Sequence, residues 1–109
     1  MQGQDVYINV VGGMKLTETA SDLAVITAVA SNFKNFVIDG KTLVLGEVGL
    51  TGEVRSVSFA QRRIAEAKKL GFKKCIIAYD NAKEALEVKG IDIIPIHTVA
   101  EAIKILTGK

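Results

Sequence analysis

Gly46-Glu47-Val48-Gly49-Leu50-Thr51-Gly52-Glu53-Val54-Arg55 is the stretch on which the reading of this chain turns. Leu43, Val44 and Leu45 run into it, Val54 and Val57 run out of it, and its three glycines recur at a spacing of three. Apolar runs on either side of a glycine-punctuated centre read as strand, tight turn, strand, with Leu50-Thr51-Gly52 at the turn. Glycine tolerates positive φ and close backbone approach, so several in one hairpin predict bulges or a crowded neighbour.

On the N-terminal side, Val6-Tyr7-Ile8-Asn9-Val10-Val11 reads as a strand closed by Gly12-Gly13, with Met14-Lys15-Leu16 as a short extension. A helix is expected from about Ala20 to Phe33. Thr19, three residues ahead of Asp22, suits a capping box at its start. This helix is apolar nearly all round, so burial on several sides, or against a neighbouring subunit, is expected. Phe36-Val37-Ile38 lies in a loop, and Asp39-Gly40 is a turn.

On the C-terminal side, Ser58 and Gln61 are placed to cap a second helix that ends at Gly71. Lys73 to Tyr79 reads as a strand in a covered sheet, and Asn81 to Leu86 as a short helix. Ile91 to Ile96 is a strand whose proline, Pro95, argues for an edge. A closing helix follows from Thr98 to Leu106, with Thr98 and Glu101 forming its box. The tail Thr107-Gly108-Lys109 is expected to fray. Strands alternating with helices define an α/β domain.

The 109 residues make one domain, 1–109, at 49% hydrophobic and 24% charged. A net charge of +2 does not by itself imply a nucleic-acid partner. The single cysteine, Cys75, sits in an apolar run and reads as a core residue in a reducing, cytoplasmic setting. No apolar run approaches the roughly 20 residues that span a bilayer, and no leader-like segment opens the sequence. His97, the only histidine, makes no metal site with one distant cysteine and reads as a strand-end residue. The phosphate-loop pattern is absent, so no nucleotide site is expected.

Two features carry candidate chemistry. On a helical projection of the second helix, Ile64, Ala60 and Ala67 form the inward stripe, extended by Leu70 and Phe59. Arg63 falls inside that arc, while Arg62, Glu66 and Lys69 face solvent. An inward cation needs a partner; Glu18, Asp22, Glu47 and Glu53 are available, or Arg63 snorkels at the stripe's edge. The second feature is basic. Between Phe59 and Lys74, Arg62, Arg63, Lys68, Lys69, Lys73 and Lys74 oppose only Glu66. Arg62, Lys68, Lys69, Lys73 and Lys74 are the candidate contacts to a phosphate backbone, against the alternative of a solvated helix face. Without interleaved aromatics, base stacking is not indicated.

Four blocks in order carry a family resemblance: Asp5-Val6 through Gly12-Gly13; Thr17-Glu18 with Asp22-Leu23-Ala24; Gly46 to Arg55; and Arg63, Glu66-Ala67, Lys69-Leu70-Gly71-Phe72. Together they resemble the C-terminal Lon-protease-like domain of the RadA (Sms) family of bacterial DNA repair proteins. Ser56 departs from the family pattern, where proline usually follows the arginine.

The resemblance implies an α/β (α+β) two-layer fold of the Lon protease C-terminal-like, ribosomal protein S5 domain 2-like type, a mixed sheet with helices packed on it. It also implies a domain shortened on its N-terminal side, without the zinc motif and RecA-like ATPase domain of the complete protein. Lon proteases use a serine–lysine dyad. Registered on Gly46-Glu47, the lysine position holds Arg63 and the serine position holds Ala20, or Ser21 after a one-residue gap. Arginine does not shed its proton in proteins, so a Lon fold without Lon chemistry, and no enzyme activity of its own, is expected. The competing reading is an active or degenerate Ser/Lys-type peptidase using Ser21, which otherwise reads as a helix N-terminal residue. For the complete protein the resemblance implies an ATP-driven motor for branch migration in recombinational repair, with ATP, magnesium and zinc as cofactors. None of these is expected on this chain. The expected partners are single-stranded or branched DNA and further copies in a hexameric ring, with no membrane. A third reading is a ring scaffold that never touches DNA.

Overall fold

A computed structural model describes residues 19–108. The strand and turn expected over residues 6–16 lie outside the described residues.

The chain forms the expected α/β fold. A short 3-10 turn, Thr19–Ser21, leads into α1 (Asp22–Lys34). Strand β1 (Thr42–Leu45) is followed by the hairpin strands β2 (Glu47–Val48) and β3 (Val54–Arg55), then α2 (Ala60–Lys69) and β4 (Lys74–Ala78). A second 3-10 turn (Tyr79–Asn81), α3 (Ala82–Ala85), β5 (Asp92–Ile96) and α4 (Val99–Thr107) complete the order. Among the described strands the expected mixed sheet is instead a parallel sheet and a separate antiparallel hairpin. β1, β4 and β5 are parallel in the order β1-β4-β5, with Thr42 opposite Lys74 and Lys74 opposite Asp92. β2 and β3 pair antiparallel.

Successive side chains of a strand point to opposite faces, and here both faces are buried. Leu43, Leu45, Cys75 and Ile77 pack with Ala60, Ile64 and Ala67 of α2 and with Ala85 of α3. Val44, Ile76, Ala78 and Ile96 pack with Leu23, Ala24 and Ala28 of α1 and with Ala102 of α4. This explains the near-continuous apolar run in β4. Burial also pushes the Cys75 thiol up to about 12. Among the described residues, no helix is long and apolar enough to cross a membrane.

The hairpin turns where expected, and its glycines have separate reasons. A Cβ on Gly46 would stand 2.6 Å from Val54 Cγ1 and 3.3 Å from Leu23 Cδ2. One on Gly49 would fall 1.9 Å from Glu53 Oε2. Gly52 takes φ +85° in the turn itself.

Some local signals hold and others do not. The Thr98–Glu101 capping box is present. Gly71 ends α2 at φ +98°, where the Phe72 N–H donates to Ala67 O and the Gly71 N–H to Lys68 O. Those two bonds satisfy carbonyls that the helix end would otherwise leave bare. Asp39-Gly40 turns as expected. Thr107 does not fray; it is the last residue of α4, capped by Gly108.

The boxes expected at the first two helices are not formed. Ser21, not Thr19, is the N-cap of α1 and makes no capping bond; Asp22 Oδ2 instead accepts from the Val48 N–H at 3.2 Å. Phe59, not Ser58, is the N-cap of α2, at φ +59°. Gln61 is drawn away to α3, donating to Glu84 O and Glu87 Oε1 at 3.0 and 2.8 Å.

Within this chain α1 is buried on one side only. Its inward side is Leu23, Ala24, Thr27, Ala28 and Ser31, while Val25, Ile26, Val29 and Phe33 face outward. Thr27 turns its hydroxyl onto Ala24 O, so its methyl can pack without an orphaned donor.

As expected, β5 is an edge among the described strands. The Asp92 N–H donates to Lys73 O at 2.9 Å, so alternation turns the Ile94 and Ile96 amides toward β4 and the Ile93 and Pro95 nitrogens away. Pro95 therefore costs the sheet no ladder bond.

Candidate functional site

Backbone bonds bring the start of α1 to the hairpin. The Gly46 N–H donates to Ala20 O at 3.1 Å, and the Leu23 N–H to Gly46 O at 3.0 Å. Residues leading into α2 are pinned from the other side by buried Asn81. Its Oδ1 accepts from the Val57 N–H at 2.8 Å and its Nδ2–H donates to Val57 O at 3.1 Å.

Between these segments lies a hollow of about 290 Å³, lined by Thr19, Ala20, Glu47, Ser56, Val57, Ser58 and Arg63. Two positions matched to the serine–lysine dyad, Ala20 and Arg63, thus share one cavity. Ser21 does not line it and is fully buried. Arg63 donates from Nε to Ser58 O at 2.8 Å, across the loop that enters its own helix. It is half-buried at the edge of the inward stripe. Leu70 and Phe59, which the projection added to the stripe, are 51% and 67% exposed. Leu70 stands beyond the last turn of α2, and the left-handed backbone at Phe59 swings its ring outward.

What this hollow can do follows from its groups. An alanine offers no nucleophile, and a guanidinium that stays protonated cannot act as base. Among the described residues, no lysine lines it. Glu47, Ser56 and Ser58 enter the hollow through the hairpin and the loop after it, a tertiary arrangement invisible to helical projection.

Beside it, Glu53 organises the hairpin. Thr51 donates to Oε1 through its hydroxyl and its N–H, and Arg55 donates to Oε2 from Nη2 at 2.7 Å and Nε at 3.2 Å. The Thr51 hydroxyl, followed by Arg55, holds the Glu53 carboxyl down at about 2. A depressed folded-state value means that this contribution is present above the ordinary value of 4.5 and is lost as pH falls through about 2. The hairpin is expected to loosen over that window, read from the Thr51 and Gly49 amide signals, and Glu53→Gln is expected to remove the transition.

The basic candidates are spread over α2 and the start of β4. Arg62 lies in the first turn of α2, its guanidinium 5.3 Å from the centre of the Phe59 ring. Lys68 and Lys69 close the same helix; Lys73 precedes β4 and Lys74 opens it. His97 follows β5 and stacks on Tyr79, ring centroids 4.4 Å apart.

The geometry defines an α/β domain of Lon-like fold in which Ala20 and Arg63 line one hollow. A family model described as "Subunit ChlI of Mg-chelatase" matches residues 1–81, and the chain belongs to this family. It is similar to the C-terminal region of proteins named DNA repair protein RadA, as the four blocks implied. The relative from Bacillus subtilis is 45% identical over 108 residues, covering 99% of this chain and 24% of the relative. That from Pseudomonas aeruginosa is 48% identical over 104 residues, covering 94% and 22%. That from Haemophilus influenzae is 41% identical over 106 residues, covering 97% and 23%. The chain thus spans about a quarter of the length of the curated relatives it matches.

Proposed function

We propose that this chain is the non-proteolytic Lon-like domain of a RadA-type, ATP-driven DNA repair motor, acting in recombinational repair as an oligomerisation scaffold and a DNA-contacting platform in the cytoplasm. The observation that carries the reading is the hollow itself: Ala20 and Arg63, matched by resemblance to the dyad, line it while Ser21 is buried outside. A cavity whose dyad-matched positions hold neither a nucleophile nor a base that can shed its proton suits a scaffold.

The self-association part draws support from α1. Val25, Ile26 and Val29 face outward, and Phe33 is 81% exposed. A second hollow of about 460 Å³ joins Val25 and Ile26 to the tip of the hairpin at Leu50. Contiguous apolar surface of this kind marks an interaction site. The DNA part draws support from the printed name of the relatives and from the exposed lysines after α2.

The test is fluorescence anisotropy of labelled single-stranded DNA titrated with this chain across a salt series, run beside a peptidase assay. Binding that weakens steeply with salt and no peptide cleavage are the expected results. Absence of binding at low salt by a folded chain would leave the ring scaffold alone, and cleavage abolished by Ser21→Ala would overturn the non-proteolytic reading.

A further inference from the structure

We infer that the end of the sheet where its strands begin is the face that meets the sugar-phosphate backbone of DNA; this rests on the DNA-contacting reading above and assigns it a surface. Because β1, β4 and β5 are parallel, all three start at one end of the sheet. Lys41 immediately precedes β1, Lys73 and Lys74 stand at the start of β4, and Lys89 leads into β5. Backbone bonds lock these segments side by side: the Lys73 N–H donates to Lys41 O at 2.8 Å, and the Asp92 N–H to Lys73 O at 2.9 Å.

The helices add to the same end. α1 is anchored by Leu23 to Gly46 at the far end of β1, so it runs against the strand and delivers Lys34 to the near end. α2 ends there with Lys68 and Lys69, and α4 places Lys104 in its last turn. Lys68 reaches the segment ahead of β5: a Cβ on Gly90 would stand 2.8 Å from its Nζ. All these lysines are exposed. Among the described residues, Asp39, Asp92 and, in the last turn of α2, Glu66 oppose them at this end, and the Asp39 carboxylate already accepts from the Lys41 N–H at 2.9 Å.

The other end carries the reverse balance. Glu47, Glu53, Asp80 and Glu101 stand near the strand C-termini with Arg55, Arg62 and Arg63, and Arg55 there is engaged by Glu53. A net charge of +2 therefore hides a polarised domain.

Lysines in the last turns of helices have an ordinary explanation, since they complement the helix dipole. It does not extend to Lys41, Lys73, Lys74 and Lys89, because strands carry only small net dipoles. Flexible point charges without a fixed hydrogen-bonding fork suit phosphates at variable positions. Such contacts position a nucleic acid and carry no sequence preference. Arg62, beside Phe59 in the first turn of α2, falls outside this face.

The test is the same anisotropy titration with Lys41→Glu/Lys73→Glu/Lys89→Glu and, as control, Lys83→Glu on α3. The triple variant is expected to bind at least about 10-fold more weakly at low salt, with a salt slope shallower by about 2, near 0.7 per lost contact on a single strand. Lys83→Glu is expected to stay within about 2-fold. On the unmodified chain, DNA is expected to protect Lys41, Lys73 and Lys89 from amine acetylation while Lys83 reacts freely, a readout that needs no variant. Unchanged affinity in the triple variant, or uniform acetylation with and without DNA, would overturn this face and leave the DNA-contacting reading standing. Failure of the unmodified chain to bind DNA would overturn both.

Discussion

Asn81→Ala is expected to cost about 2–4 kcal/mol of stability, far more than the loss of one surface amide. Asn81 is 2% exposed and serves as a backbone mimic: its side chain pairs with both the N–H and the C=O of Val57. Truncation strands a buried donor and a buried acceptor together, and each unsatisfied group costs about 1–3 kcal/mol. Asn81→Asp separates the two halves of the pairing. A carboxylate still accepts from the Val57 N–H but no longer donates to Val57 O, and it buries a charge. It is expected to be at least as damaging near neutral pH and to recover partly as the acid is protonated. Urea unfolding of the two variants, followed from pH 7 to pH 4, is the check. A cost of Asn81→Ala below about 1 kcal/mol would mean that water satisfies Val57 in its place.

The second large effect is in the core. Ile77→Ala is expected to cost about 2–5 kcal/mol, the range for truncating a fully buried aliphatic side chain. Ile77 is 0% exposed on the central strand, in the cluster with Leu45 and Ile64. For a domain of this size, total stability is of order 5–15 kcal/mol, so the change removes a large share. The midpoint in denaturant should fall with little change in slope if the folded state stays compact. Ile77→Val, which deletes one methylene, is expected to cost only about 0.5–1.5 kcal/mol. Comparable costs for the two would show that the site collapses around the smaller side chain.

Local codes in this chain were readable, and long-range partners were not. Thr98 and Glu101 are three residues apart, so their mutual bonds depend on one turn of backbone alone. Gly71 was equally legible, because a left-handed terminus needs no distant residue. The same vocabulary misled at Asp22 and Gln61. Each had a plausible capping partner three residues away, but Asp22 is claimed by Val48 and Gln61 by α3. Asn81, which read simply as the start of a short helix, spends its amide on a loop 24 residues earlier.

The inward face of helix α1 was not legible, for another reason. With apolar residues on every side, periodicity could not say which face turns inward, and packing chose the face with small residues, Ala24, Thr27, Ala28 and Ser31. Ala20 and Arg63, singled out through the family's register, lie around one cavity. The lysines were legible only in part. Those from Lys68 to Lys74 lie close in sequence, whereas Lys34, Lys41, Lys89 and Lys104 join them only because parallel strands share a starting edge.

Pro95 bears on how copies of this domain can be stacked. Along the outer margin of β5, the row of amide hydrogens that a foreign strand would seek is broken in the middle, since Ile93 presents one and Pro95 has none to present. An incoming chain laid there would leave a carbonyl of its own unanswered, which is how natural sheets discourage growth from molecule to molecule. Among the described strands, a continuous cross-molecular ladder, the first step toward fibrous aggregates, is therefore interrupted on that flank.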